Sequence, residues 1–231
     1  MQTNNSNGES RRNFLGKIAA GAAALGTVSL APFTAQAFPD AANHEYSGAE
    51  EWFNKIKGKH RIVFDATQPH ELMPFAWPKI FLLTNAATGT PEKECSAVVV
   101  LRHEAVGYAL QNEMWEKYKL GETFKIDDPK TKNPSVRNAF WQPAPGDFKL
   151  PALGNVPIGI NELQASGVMF GVCDVALTVY SGAVAEAMKL EAADVKKDWV
   201  ANLLPGIQPM PSGIWAIGRA QEHGCSYVFA G

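Results

Sequence analysis

The chain has 231 residues, 46% hydrophobic and 19% charged, with 21 Lys and Arg against 23 Asp and Glu and three cysteines. This balance excludes a disordered chain and a charge-driven nucleic-acid binder, and three cysteines are too few for a disulfide-stapled miniprotein. The one long apolar segment sits at the N-terminus, and compartment and domain count both turn on it.

That segment reads as an export signal. Arg11 and Arg12 stand just ahead of Phe14-Leu15, and an Ala/Gly-rich run follows over 18–30. The run is about 13 residues, too short for a bilayer that needs roughly 20. Small residues at Ala35 and Ala37 then give the A-x-A pattern of a signal-peptidase site. The paired arginines resemble the twin-arginine motif, departing from it at Gly16 ahead of Lys17. Residues 1–37 are therefore expected to be a cleaved signal, the exported domain to start at Phe38, and the compartment to be the periplasm or its equivalent. The alternatives are an uncut membrane anchor and a chance cytosolic N-terminus.

Removing the signal takes out Arg11, Arg12, Lys17 and Glu9, leaving 194 residues with 18 basic and 22 acidic side chains. A mildly acidic domain gives no electrostatic reason to expect nucleic acid or anionic lipid as a partner. Nor does it call for stable membrane insertion. Cys95, Cys173 and Cys225 all remain. An odd count in an oxidising compartment leaves at least one thiol free, modified or paired between chains.

In chain order, a leading helix is expected over 49–57, then a strand over 61–65 and a helix over 72–85, with Pro74 and Pro78 disturbing its start. A second strand over 97–101 precedes an amphipathic helix over 104–118 that stops near Gly121. Residues 121–157 hold six prolines and Phe140-Trp141, and break the rhythm. A structureless connection of that length is either a lid over a site or a surface insertion or packing arm. A third strand over 168–173 leads into an Ala-rich helix over 175–190 with Asp174 as its N-cap, and a further helix over 193–204 ends at Pro205-Gly206. A fourth strand over 207–210, a helix over 212–223 closing on Gly224, and a fifth strand over 226–229 complete the domain. The β-α alternation predicts an α/β fold, a mostly parallel sheet of five strands between helical layers.

In such a sheet, ligands bind beyond the carboxyl ends of the strands. That geometry selects Asp65, Arg102-His103-Glu104, Cys173-Asp174 and Ser212-Gly213. Cys173 is the most informative, because a thiol at a helix N-terminus meets the positive end of the helix dipole, while Asp174 opposes that effect. His103, facing it across adjacent strands, would supply a cation or a proton acceptor. The candidate catalytic residues are thus Cys173 and His103, with Asp65, Glu104, Asp174, Ser212 and Gly213 as candidate binding residues. The plain alternatives are a small buried Cys173 that only ends an apolar strand and a His103 that bonds a loop carbonyl. Cys95 falls at the opposite edge of the sheet and reads as structural, and Cys225 falls at that same edge, which argues against a Cys173–Cys225 pair.

No cofactor or metal is expected. His60 and His70 lack metal-ligand spacing, and no H-x-x-x-H, G-x-G-x-x-G or G-x-S-x-G is present. A centre built from His103, Cys173 and Asp65 would have only three scattered ligands.

Three stretches carry a family resemblance. Leu204-Pro205-Gly206-Ile207 with Pro211-Ser212-Gly213-Ile214 and the closing Gln221-Glu222-His223-Gly224-Cys225-Ser226-Tyr227 resembles the ending of the DsrE/DsrF-like sulfur-relay family. Val172-Cys173-Asp174-Val175-Ala176-Leu177 is similar to that family's V-C-G-N-A-L stretch, with Asp174-Val175 in place of Gly-Asn, and residues 97–105 match its second strand and following histidine. The resemblance implies a three-layer α/β/α fold, assembly into homo-oligomers, and a Cys173 that carries sulfur as a persulfide received from a small sulfur compound or a sulfur-donor protein. Its partner in export would be the twin-arginine translocase. A noncatalytic ligand-binding or assembly module of the same fold is the alternative.

Overall fold

The computed structural model describes residues 46, 48–150, 152 and 154–231. The signal read over 1–37 and the domain start at Phe38 lie outside the described residues. No described helix is long and apolar enough to cross a membrane.

Five strands form one sheet: β1 (His60–Ala66), β2 (Cys95–Leu101), β5 (Met169–Cys173), β6 (Ile207–Met210) and β7 (Ser226–Phe229). Their order is β6-β5-β2-β1-β7, and every pairing is parallel. A two-stranded antiparallel ribbon, β3 (Lys149–Leu150) with β4 (Gly154–Asn155), stands apart. The expected fold class is therefore present, with a sheet that is wholly rather than mostly parallel.

The helices are α1 (Ala49–Trp52), α2 (Met73–Ala87), α3 (Asn112–Lys117), α4 (Leu120–Phe124), α5 (Ile160–Ala165), α6 (Asp174–Met188), α7 (Ala192–Ala201) and α8 (Gly213–Glu222). Side-chain alternation along the strands feeds two separate cores. Phe64 of β1 and Ala97, Val99 and Leu101 of β2 pack under α2, α6 and α7, whereas Val63, Val98 and Val100 pack under α1 and α8. The crossovers from β1 to β2, β5 and β6 step one way across the sheet, and their helices cover one face. The last crossover returns to pair β7 with β1, so α8 falls on the other face, as a common right-handed crossover requires. The result is three layers.

Several expected elements are corrected. The helix expected over 104–118 is a 3-10 helix, His103–Ala109, and then α3. The break lies at Leu110 and Gln111, which are extended because Leu110 bridges Leu203 and the Gln111 N–H donates to the Asn202 carbonyl. Tertiary pairing overrides helical pattern there. The leading helix ends at Trp52 and tightens into a 3-10 turn, Phe53–Lys55. Gly121 lies inside α4 rather than stopping a helix, and α2 runs on through Pro78. The N-cap of α6 is Cys173, one residue earlier than Asp174.

Segment 121–157 is not structureless. Besides α4 and the β3-β4 ribbon, it has an Asp127–Pro134 bridge and an Asp128 side chain that accepts the N–H groups of Lys130 and Thr131 and the Arg137 Nε. Asn138, fully buried, ties it to the body: its Nδ2 donates to the carbonyls of Tyr108 at 2.8 Å and Leu110 at 3.0 Å, and its Oδ1 accepts from the Phe140 N–H. Gly121 lets the segment close up, since a Cβ there would sit 2.3 Å from the Ser135 backbone. Asn138→Ala would orphan three buried backbone groups, each worth about 1–3 kcal/mol when left unpaired. Chemical denaturation is expected to show a loss of at least about 2 kcal/mol, and a loss below the error of the measurement would contradict this role.

Candidate functional site

Strands β5, β2 and β6 end side by side, and residues at or just beyond those ends line one cavity of about 270 Å³. Cys173 comes from the end of β5, Arg102 and His103 come directly after β2, and Ser212, Gly213 and Ile214 lie after β6 at the start of α8. The first turns of α6 complete the wall with Val175, Ala176, Val179 and Tyr180.

Cys173 is buried, and its Sγ accepts the Ala176 N–H at 3.3 Å as the N-cap of the 15-residue α6. A sulfur bearing negative charge is the stronger acceptor for such a donor, and the positive end of the helix dipole lies at the same place. Ser212 caps α8 in the same manner, its Oγ accepting the Trp215 N–H at 3.1 Å.

Arg102 brings a guanidinium whose charge the Asp65 carboxylate balances. Its Nε and Nη2 donate to Asp65 Oδ1 at 2.6 Å and Oδ2 at 2.8 Å, and Tyr227 Oη donates to Oδ2 at 2.8 Å. The Asp65 carboxylate holds the Arg102 pKa above its ordinary value, with burial opposing and a negative charge on Cys173 adding to the rise. Gly213 makes room for this arginine, because a Cβ there would lie 2.7 Å from its Cβ and Cδ.

His103 is exposed and held at φ 51, a left-handed conformation that a residue with a Cβ adopts only at a cost. Its Nδ1 lies 3.3 Å from Tyr180 Oη, and the two rings meet edge-on. Burial first, and then the charge of Glu104, push the Tyr180 phenol up to about 12, so at neutral pH it is an O–H that can donate to an unprotonated Nδ1.

The cavity thus brings together Arg102, His103, Cys173, Ser212 and Gly213 of the sequence-selected residues. The Cys173 and His103 side chains share it without a mutual hydrogen bond among the described residues. The selected carboxylates do not line it. Asp65 is 1% exposed and engaged by Arg102 and Tyr227. Asp174 accepts from Tyr46 Oη at 2.7 Å and Lys196 Nζ at 2.9 Å, which ties α6 to α7. The charge of Glu104 raises the pKa of the Tyr180 phenol at the site. No group of three His, Cys, Asp or Glu side chains could hold a metal among the described residues.

Tyr180 and the apolar Val175, Ala176, Val179 and Ile214 are the lining residues that strand-end reasoning passed over, and Arg102, selected with the end of the second strand, was given no role there. Arg102 had a signal. The register sets Asp65 beside Val100, so Arg102 stands two residues further along, on the same face of the sheet.

No family model matches the chain, and no curated protein matches it. Among solved structures it is similar to that of MTH1491, a protein of unknown function from Methanobacterium thermoautotrophicum, at 17% identity and a TM-score of 0.39, covering 74% of this chain and 99% of that one.

All three cysteines are free thiols. Burial pushes the Cys225 thiol up to about 11, with Arg61 opposing, and the partly buried Cys95 is raised by burial and by Glu94 and Glu92. A thiol with a raised pKa reaches its reactive thiolate form only as pH climbs toward that value. Iodoacetamide alkylation of Cys225 is accordingly expected to be slower than that of a free cysteine at pH 8 and to accelerate as pH approaches about 11. A pH profile like that of free cysteine would contradict this.

Proposed function

We propose that this protein is a sulfur carrier in which Cys173 accepts a sulfane sulfur as a persulfide and passes it on. The observation that carries the reading is the Cys173 Sγ, held as an N-cap acceptor in a cavity that the Arg102 side chain lines and no carboxylate side chain lines. The resemblance of the 172–177 stretch and of the C-terminal segment to the DsrE/DsrF-like family supports it.

In the proposed step the Cys173 thiolate attacks the outer sulfur of an anionic donor. A new sulfur–sulfur bond forms at Sγ while the donor's own breaks, and the donor leaves with the bonding pair, as sulfite from thiosulfate or as a shortened polysulfide from a longer one. No external oxidant is consumed. Arg102, whose charge the Asp65 carboxylate balances, offers the donor anion the N–H groups that Asp65 leaves unengaged. The Ala176 N–H holds the attacking sulfur. Val175, Val179 and Ile214 give the mouth of the cavity an apolar rim.

The proposal extends to an exported, homo-oligomeric protein sent through the twin-arginine translocase, receiving sulfur from a small sulfur compound or a donor protein. A second reading, a noncatalytic binding or assembly module, draws on the same cavity mouth, where Val175, Val179 and Ile214 are 37%, 60% and 66% exposed.

Purified protein treated with polysulfide or thiosulfate is expected to gain about 32 mass units, one sulfur atom, on the Cys173 peptide. An unmodified Cys173, or equal modification of Cys95 and Cys225, would overturn the proposal in favour of the binding module.

A further inference from the structure

The Cys173 cavity, of about 270 Å³, is smaller than a second one of about 870 Å³ that Tyr108 and segment 121–157 help to line, and the two share no lining residue. Small-molecule sites span roughly 300–1,000 Å³, so the thiol cavity has room for a group of few atoms, with anything larger left at its mouth.

The polar atoms of the wall set what that group must offer. Arg102 has five N–H groups, of which Asp65 takes two and leaves three. Ser212 Oγ accepts the Trp215 N–H, and its own O–H has no acceptor among the described residues. No carboxylate side chain lines the cavity.

His103 is a further donor, and Tyr180 makes it one. The Glu104 N–H donates to the Thr67 carbonyl at 2.9 Å and the Ala105 N–H to the Arg102 carbonyl at 3.1 Å, which holds the left-handed turn at His103. Tyr180 is itself held by Phe124, ring edge against ring with centroids 5.2 Å apart. Its phenol stays protonated at neutral pH and donates to His103 Nδ1, so the proton of the neutral imidazole sits on Nε2. His103 therefore presents an N–H and not a base. Beyond these donors the mouth is apolar, with Val179 60% and Ile214 66% exposed.

We infer, on the sulfur-carrier function proposed above, that the sulfur donor is an organic thiosulfonate, its outer sulfur at Cys173 Sγ, its sulfonyl oxygens accepting from Arg102, His103 and Ser212, and its organic group against Val179 and Ile214. The Cys173 thiolate attacks the outer sulfur, and a sulfur–sulfur bond forms at Sγ. The bond from the outer sulfur to the sulfonyl sulfur breaks, and the bonding pair leaves on a sulfinate. Polysulfide offers only weak sulfur acceptors to the donors of the wall, and thiosulfate has oxygens but no apolar end. Tyr180 is a positioning residue that acts through His103.

Persulfide formation at Cys173 of the full chain, followed by mass spectrometry with benzenethiosulfonate, thiosulfate and polysulfide, tests this. Each rate is divided by that of the same donor with glutathione, and the parent is expected to show its largest ratio with benzenethiosulfonate. His103→Ala is expected to lower that ratio relative to the polysulfide ratio about tenfold, as loss of one hydrogen bond to a charged group would, and His103→Gln, which keeps an N–H, to lower it less. Val179→Ser with Ile214→Ser is expected to lower it relative to the thiosulfate ratio about tenfold through lost apolar contact. These side chains are exposed, so the variants keep the fold. Tyr180→Phe, which keeps the ring, is expected to lower the benzenethiosulfonate ratio about threefold and to shift the His103 Nδ1 signal in nitrogen-15 spectra, which a packing role alone would leave in place. A largest ratio with thiosulfate or polysulfide, or ratios unmoved by His103→Ala and by the paired serine variant, would overturn the inference and leave the sulfur-carrier function standing. Absence of persulfide at Cys173 with all three donors would overturn that function and the inference with it.

Discussion

Asp65 and Arg102 meet through two parallel N–H to oxygen bonds at the carboxyl edge of the sheet, with the carboxylate almost wholly out of water. Removing one partner of such a pair strands the other charge and costs about 3–5 kcal/mol, which is far more than a surface ion pair contributes. The pair joins the end of β1 to the residue after β2, and Tyr227 of the edge strand β7 closes it from the far side. It therefore fixes three neighbouring strands and at the same time holds a guanidinium at the wall of the thiol cavity. Gly213 completes the arrangement by leaving space for the arginine's stem, so the start of α8 is set against the same group.

The path of the chain after β2 places two cavities. Residues after β2 do not continue as a regular helix, because Leu110 and Gln111 are drawn out to pair with Leu203 and Asn202. The short 3-10 helix that results places His103 at one cavity and Tyr108 at the other. Segment 121–157 is anchored on the carbonyls of Tyr108 and Leu110 through Asn138, so the same helix that separates the cavities also supports the wall of the larger one.

The five strands were legible because each is a short apolar run bounded by turn residues, and the strand ends could be placed along one edge from the βαβ rhythm alone. Cys173 and Ser212 came out on that edge as expected. Two of the carboxylates misled, since Asp65 and Asp174 stand at a strand end or just beyond one but their partners, Arg102 for the first and Lys196 and Tyr46 for the second, lie up to 128 residues away in the chain. A local reading sees an acid near a helix N-terminus, whereas the folded chain has already used it in an ion pair. Cys173 rather than Asp174 caps α6 for the related reason that the Asp174 side chain is drawn toward Lys196 and Tyr46. Segment 121–157 was opaque because its order comes from single residues, Asp128, Asn138 and Gly121, and not from any periodic pattern.

Under the proposed function, the Cys173 sulfur carries a transferable sulfur atom. Cyanide removes such a sulfur as thiocyanate and returns the thiolate, with one sulfur–sulfur bond broken and one carbon–sulfur bond formed. Cyanolysis of polysulfide-treated, desalted protein is expected to release about one thiocyanate per chain from the parent and close to none from Cys173→Ser. Equal release from the two proteins would contradict the account.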